Sequence, residues 1–175
     1  MAQLVLTIIA PDRPGLVEVI SKTALQHGAN WEASRLVRLG GRFAGVLLVS
    51  VDDARASALE HDLKQLRESG LQVIVERAAL AEAAGAADAR PLKLELVGLD
   101  RPGIIREVSR VLAARSVNVE ELHTQVESAP MSGEILFRMN ARVRCPAAVR
   151  MDELRGALEA IAGELMVDLE LGTAE

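Results

Sequence analysis

Two short stretches hold the residue types most suited to chemistry. They are Asp12-Arg13-Pro14-Gly15 and Asp100-Arg101-Pro102-Gly103, followed directly by Leu16 and Ile104 and, fifteen residues past each glycine, by Asn30 and Asn118. Glycine has no Cβ, so a small ligand or another backbone can come close. At the start of a helix such a turn aims unbonded backbone N–H groups at whatever lies beside it, and a carboxylate is the natural guest. An asparagine amide both donates and accepts. Together these groups suit an α-amino acid, which offers a carboxylate and an ammonium. The same residues have a purely structural use, because Asp, Pro and Gly are favoured in any strand-to-helix turn, with Asp capping free N–H groups and Pro fixing φ. Arg13 and Arg101 stand open between ligand clamps, exposed charges and partners of the adjacent Asp.

Little else in the chain points to chemistry. No Ser/His/Asp set stands out, and His27, His61 and His123 are separately placed, near a helix end, on an exposed helix face and within a strand. No catalytic residue, metal ligand or cofactor is expected. The single cysteine, Cys145, rules out an intrachain disulfide framework or a thiolate metal cluster and is read as a small near-core residue.

The two turns belong to an internal repeat at an offset of 88 residues, which also places Leu4 on Leu92, Leu6 on Leu94, Ser21 on Ser109 and Glu32 on Glu120. Each copy has the length of a small domain. Residues 1–79 and 91–175 are expected to be the two domains, with 80–90 an Ala-rich linker that frays at Gly85. In the first copy, apolar periodicity and turn residues predict a strand at 4–9, a helix opening at Pro14 and stopped by Gly28, strands at 29–39 and 43–51 joined by Gly40-Gly41, a helix at 54–68 and a strand at 71–77. The second copy repeats this at 92–97, 102–115, 117–127, 134–143, 147–162 and 165–171, with a longer hairpin connection at 128–133.

The order is βαββαβ twice. It predicts an α+β chain of two ferredoxin-like units, each an antiparallel four-stranded sheet with both helices on one face. Neighbouring apolar residues such as Ile8 with Ile9 and Leu47 with Leu48 predict that the second sheet face is covered too, by packing between copies or between chains, and a homodimer is expected. Trp31 is assigned to core or interface, and Met131, Met139, Met151 and Met166 to strand and helix cores.

Composition narrows the partners. Half of the residues are hydrophobic, enough for a buried core, while the net charge of −5 and dispersed basic residues disfavour a phosphate backbone. One Trp, two Phe and no Tyr cannot build a base-stacking platform, so no direct nucleic-acid binding is expected. The apolar runs, such as 46–49, fall far short of the roughly 20 residues that cross a bilayer, and no signal-peptide pattern opens the chain. No membrane contact and a cytoplasmic location are expected.

Both halves resemble ACT domains, small-molecule-binding regulatory modules with this βαββαβ order, a D-R-P-G turn before the first helix and a G/S-x-N start to the second strand. Those starts are Gly28-Ala29-Asn30 and Ser116-Val117-Asn118 here. The resemblance covers nearly the whole chain apart from linker and tail. Two such units with no enzymatic domain, the second with an insertion before "EILFRM", are similar to tandem-ACT transcriptional regulators of glycine cleavage. This implies an amino-acid-binding regulator whose ligand sits where two ACT units meet, held by Asp12, Arg13, Pro14, Gly15, Leu16 and Asn30 and by Asp100, Arg101, Pro102, Gly103, Ile104 and Asn118. It also implies a protein partner, a DNA-binding transcriptional activator, in place of DNA itself. The glycines favour a small ligand, glycine or serine. Ala10 against Gly98 and Gly28 against Ser116 are expected to make the two sites unequal. Two alternatives stay open: an ACT-type interaction module that binds no ligand, and an enzyme like the acylphosphatases, whose ferredoxin-like fold also uses an Arg in this loop and an Asn on strand two. Against the enzyme, Pro14 and Pro102 each remove a backbone donor that a phosphate-wrapping loop would need.

Overall fold

The computed structural model describes residues 1–78, 88–129 and 133–173. The chain divides into two units, Met1–Leu80 and Ala81–Glu175. The expected fraying at Gly85, most of the 80–90 linker and Met131 lie outside the described residues.

In the first unit, strict alternation of apolar residues makes β1 (Ala2–Pro11) bury Ala2, Leu4, Leu6, Ile8 and Ala10 on one face. β1 pairs antiparallel with β3 (Arg42–Val51) on one side and β4 (Gln72–Arg77) on the other, while β2 (Asn30–Leu39) pairs only with β3. The sheet order is therefore β2-β3-β1-β4. Helix α1 (Leu16–Gln26) turns Leu16, Ile20 and Ala24 inward, and α2 (Asp53–Gln65) turns Ala56, Leu59 and Leu63 inward. Apart from Ala24, these residues join the β1 and β3 side chains in one core, so both helices lie on the same sheet face. Asp52 caps α2 by accepting from the Ala54 N–H at 3.0 Å. The second unit repeats the plan with β5 (Arg90–Leu99), α3 (Ile104–Ala113), β6 (Asn118–Ser128), β7 (Ile135–Cys145), α4 (Met151–Leu165) and β8 (Val167–Thr173), in sheet order β6-β7-β5-β8. Its separate core is built on Leu92, Leu94, Leu96, Val143, Leu154 and Leu158, with Cys145 buried in it.

Element order, strand pairing and fold class agree with the expectation, and the differences have local causes. Helix α1 starts at Leu16 instead of Pro14, because Gly15 stands at φ +90°, outside helical space, and serves as the N-cap. Pro14 is thus one residue ahead of the cap. Helix α4 starts at Met151, not 147, after a turn closed by the Val149 N–H on the Pro146 carbonyl at 3.0 Å. The second long helix of the first unit ends at Gln65 and tightens into a 3₁₀ turn, Leu66–Ser69. β5 already begins at Arg90, inside the stretch expected to be linker.

Met139 is buried and Met151 packs against the second core, but Met166 is 74% exposed. It ends α4 at φ +50°, a left-handed position that costs an L-residue about 1–2 kcal/mol. Met166→Gly is therefore expected to raise unfolding stability by about 1 kcal/mol, readable as a higher urea midpoint with an unchanged slope.

The two sheets differ on their outer faces. In the first unit this face carries Val5, Ile9, Val37, Val46, Leu48 and Ile74, as the double-sided apolar pattern predicts. In the second the matching positions include Lys93, Glu95, Arg138, Arg142, Asp168 and Glu170, so the expectation of a covered apolar face fails there. No helix among the described residues is long and apolar enough to cross a membrane.

Candidate functional site

Each Asp-Arg-Pro-Gly turn leaves the first strand of its unit and enters the following helix. At the first turn the Asp12 N–H donates to the Gly41 carbonyl at 3.1 Å, and its carboxylate pairs with Arg38 Nε at 2.6 Å, which ties the turn to the β2–β3 hairpin. Asp12 caps no helix: no side chain does so at α1. The first-turn N–H groups of α1 are therefore open to a ligand oxygen, and the Val19 N–H returns to the Gly15 carbonyl at 3.0 Å. Arg13 is not the partner of Asp12. Its Nη2 donates to the Ser69 carbonyl at 2.5 Å, fastening the turn to the 3₁₀ segment. Leu16 is buried, anchoring the helix start in the core.

The second turn is built alike. The Asp100 N–H donates to the Ile135 carbonyl at 2.9 Å, Gly103 caps α3 at φ +102°, and Ile104 is buried. Arg101 Nη2 donates to the Glu164 carbonyl at 3.2 Å, while its Nε is buried without a partner among the described residues. Pro14 and Pro102 precede the capping glycines and hold the turns in shape.

The asparagines do not join these turns within a unit. Asn30 is opposite Ser50, which is opposite Gln3, whereas the turn leaves from Pro11 opposite Arg42. Eight strand residues separate the two levels, roughly 26 Å at the rise of a β-strand. Asn118, opposite Arg144 and so level with Pro91, is equally far from the second turn beyond Leu99. The constellation expected from the sequence is split between the two ends of each sheet. An acylphosphatase-like centre would need the Arg and the Asn together, and the same geometry sets each Asn at the far end of the sheet from its Arg.

A β-bulge follows each asparagine, between Trp31 and Ala33 and between Val119 and Glu121, and each presents a glutamate. Glu32 accepts from Ser50 Oγ at 2.5 Å and from Asn30 Nδ2 at 2.8 Å. The Ser50 hydroxyl first, and the Asn30 amide second, hold the Glu32 carboxyl below its ordinary range. A folded value below the unfolded one means that this contribution to stability is complete above the ordinary carboxylate value and is lost as pH falls through the lowered one. Ser50→Ala is expected to bring Glu32 back up towards that ordinary value, checked by following its side-chain carboxyl through an NMR pH titration. In the second unit Glu120 pairs with Arg144 instead, and no hydrogen bond engages the Asn118 amide among the described residues.

A family model for the ACT domain matches residues 2–76. The glycine cleavage system transcriptional repressor of Escherichia coli (strain K12) is 25% identical over 168 residues, covering 93% of this chain and 85% of that protein. A solved structure of an unknown protein from Galdieria sulphuraria is 34% identical, covers 99% of both chains and superposes with a TM-score of 0.83. Another, of a candidate glycine cleavage system transcriptional repressor, shares the fold at 20% identity and a TM-score of 0.69, covering 99% of this chain and 98% of its own. The first unit is matched by the ACT-domain model, and the second repeats its βαββαβ plan. The chain is similar over nearly its whole length to that transcriptional repressor.

The two units are not chemically equal at their turns. A hollow of about 260 Å³ lies against the first, between Arg13, Gly15, Glu18, Lys22 and Ser69. Glu18 and Lys22, one helical turn apart, place a carboxylate and an ammonium beside the open N–H groups of α1. The sequence pattern does not single out either residue. The repeat offset carries the signal, because the corresponding residues of the second unit are Arg106 and Arg110. Arg110 there is taken by Glu107 at 2.8 Å. The residue pairs expected to make the sites unequal serve the backbone and the core instead. Gly28 and Ser116 both sit at positive φ after their helices, +66° and +56°. Gly98 has no room for a side chain against Val167, so it answers to packing.

Proposed function

We propose that this chain is an amino-acid-responsive regulator of a protein partner, with its ligand site at the first Asp-Arg-Pro-Gly turn. The observation that carries this reading is the hollow at Gly15, where open helix N–H groups and Lys22 suit a carboxylate and Glu18 suits an ammonium. A Cβ at Gly15 would meet nothing within 4 Å, so the space beside the turn is free for a ligand. The missing asparagine comes from a second copy of the chain. Among the described residues β2 and β6 each bond to one neighbour only, leaving an open edge. Antiparallel pairing of such an edge with its like brings the asparagine end of one strand beside the turn end of the other. That arrangement makes ligand binding and dimerisation reinforce each other. The relationship to a glycine cleavage repressor, with the acidic net charge, supports glycine or serine as ligand and a DNA-binding activator protein as partner, in a cytoplasmic setting.

The test is isothermal titration of the full chain with glycine and with serine, alongside sedimentation with and without them. Saturable binding that strengthens the dimer, and that falls about tenfold or more in Lys22→Gln and in Gly15→Asn, is the expected result. Asn tolerates the left-handed backbone best among side-chain-bearing residues, so that variant keeps its fold. Binding of neither amino acid, or binding indifferent to Lys22, would leave the ligand-free interaction module as the better reading.

A further inference from the structure

The outer sheet face of the second unit carries charges that the fold itself does not call for. Lys93 stands directly opposite Arg142 across β5 and β7, and Glu95 directly opposite Glu170 across β5 and β8. Like charges at directly opposed positions destabilise a sheet. Lys93 Nζ and Glu95 Oε1, 2.7 Å apart, offset each other. Arg142 and Glu170 are left over, with no ion pair or hydrogen bond to either side chain among the described residues. The same strand shows that this is not the rule: Arg138 pairs with Glu127 and Arg144 with Glu120. Glu121, the neighbour of Arg142 in register on β6, is also unpaired among the described residues.

Two hollows cover these groups. One of about 470 Å³ opens between Lys93, Glu121 and Arg142, and one of about 230 Å³ between Glu95, Arg138, Asp168 and Glu170. They share Asn140. The first thus offers a free cation beside a free carboxylate, and the second, one step along the sheet, three carboxylates beside Arg138, whose charge is met by Glu127.

We infer that this face binds a basic α-amino acid of lysine type. Its α-carboxylate meets the Arg142 guanidinium, which suits a two-pronged contact, and its α-ammonium meets Glu121. Its aliphatic stem crosses Asn140, and its terminal cation enters the hollow of Asp168 and Glu170. Arg142 on β7 and Glu170 on β8 are two strand spacings and one step of about 6.7 Å apart, roughly 12 Å between Cα atoms, a gap that a four-carbon stem closes together with the reach of the two side chains. Such a ligand relieves both like-charge pairs at once. Neither turn takes part, so this site and the one at Gly15 stand or fall separately.

The full chain titrated with L-lysine, and with L-norleucine as the same stem without its terminal cation, tests the assignment. Expected are saturable lysine binding preferred over norleucine, an affinity about tenfold or more weaker in Arg142→Gln, and loss of the preference in the Asp168→Asn, Glu170→Gln double variant. No lysine binding by the unaltered chain, equal binding of both amino acids, indifference to Arg142→Gln, or a preference that survives the double variant would each overturn it.

Discussion

Gly45→Ala should unfold the first ACT unit near physiological temperature. Gly45 lies in the middle of β3, with Ile8 opposite on β1 and Leu36 opposite on β2, at φ +155°. A Cβ added there would fall 1.9 Å from the Arg35 carbonyl oxygen and 2.9 Å from Leu36 Cα. Both are backbone atoms of the paired strand. They cannot give way as a side chain can, so the β2–β3 ladder must open. A loss of more than about 4 kcal/mol is expected, beyond the usual range for one substitution and a large share of what holds a domain of this size together. Trp31 supplies the readout, as the only tryptophan in the protein and a residue of β2 half-buried against the first core. Its fluorescence should already report the unfolded state at low urea. A midpoint within about 1 kcal/mol of the unaltered chain would mean that β2 is not held against β3 as described.

Gly98→Ala should destabilise the second unit by about 2–3 kcal/mol, as overpacking of a close contact does. Here φ is ordinary and the obstacle is a side chain. A Cβ on Gly98 would stand 2.5 Å from Val167 Cγ1 and 2.9 Å from its Cβ. Removing the obstacle tests the cause. Val167→Gly alone loses a buried side chain, yet in the double variant the two changes should offset each other, giving a total at least about 1 kcal/mol smaller than the sum of the singles. Additive effects in a double-mutant cycle of urea unfolding would sink the packing account of Gly98. They would return the Ala10 and Gly98 difference to the ligand site, where sequence alone places it.

The repeat, the strand and helix order and most core residues are legible in the chain because they follow from local rules. Alternation at Leu4, Leu6 and Ile8 and helical spacing at Leu16, Ile20 and Ala24 each report a buried face without knowledge of what covers it. Differences fall at element ends, where one backbone angle decides. Gly15 at positive φ cuts the first turn from α1, and Met166 at positive φ ends α4 where no turn residue announces it. The site is legible in its parts and not in its assembly. Both turns do sit at helix starts, as Asp-Arg-Pro-Gly predicts. The pairing of Asn30 with Gly15 rests on a matched spacing of fifteen residues, and a spacing in sequence carries no distance once the chain between runs down a helix and turns back.

The sequence by itself determined that this protein is two copies of one βαββαβ plan, because patterning, turn chemistry and the offset of 88 residues are all local or self-referential signals. Only the tertiary structure decided what each polar group is free to do. It turns Arg13 to the Ser69 carbonyl, Arg101 to that of Glu164 and Asn30 to Glu32, and it leaves Arg142 and Glu170 without a partner among the described residues. The physical reason is that a charged or amide side chain acts on whatever lies within about 3 Å of it, and which groups come that close depends on strand register and helix seating across the whole unit.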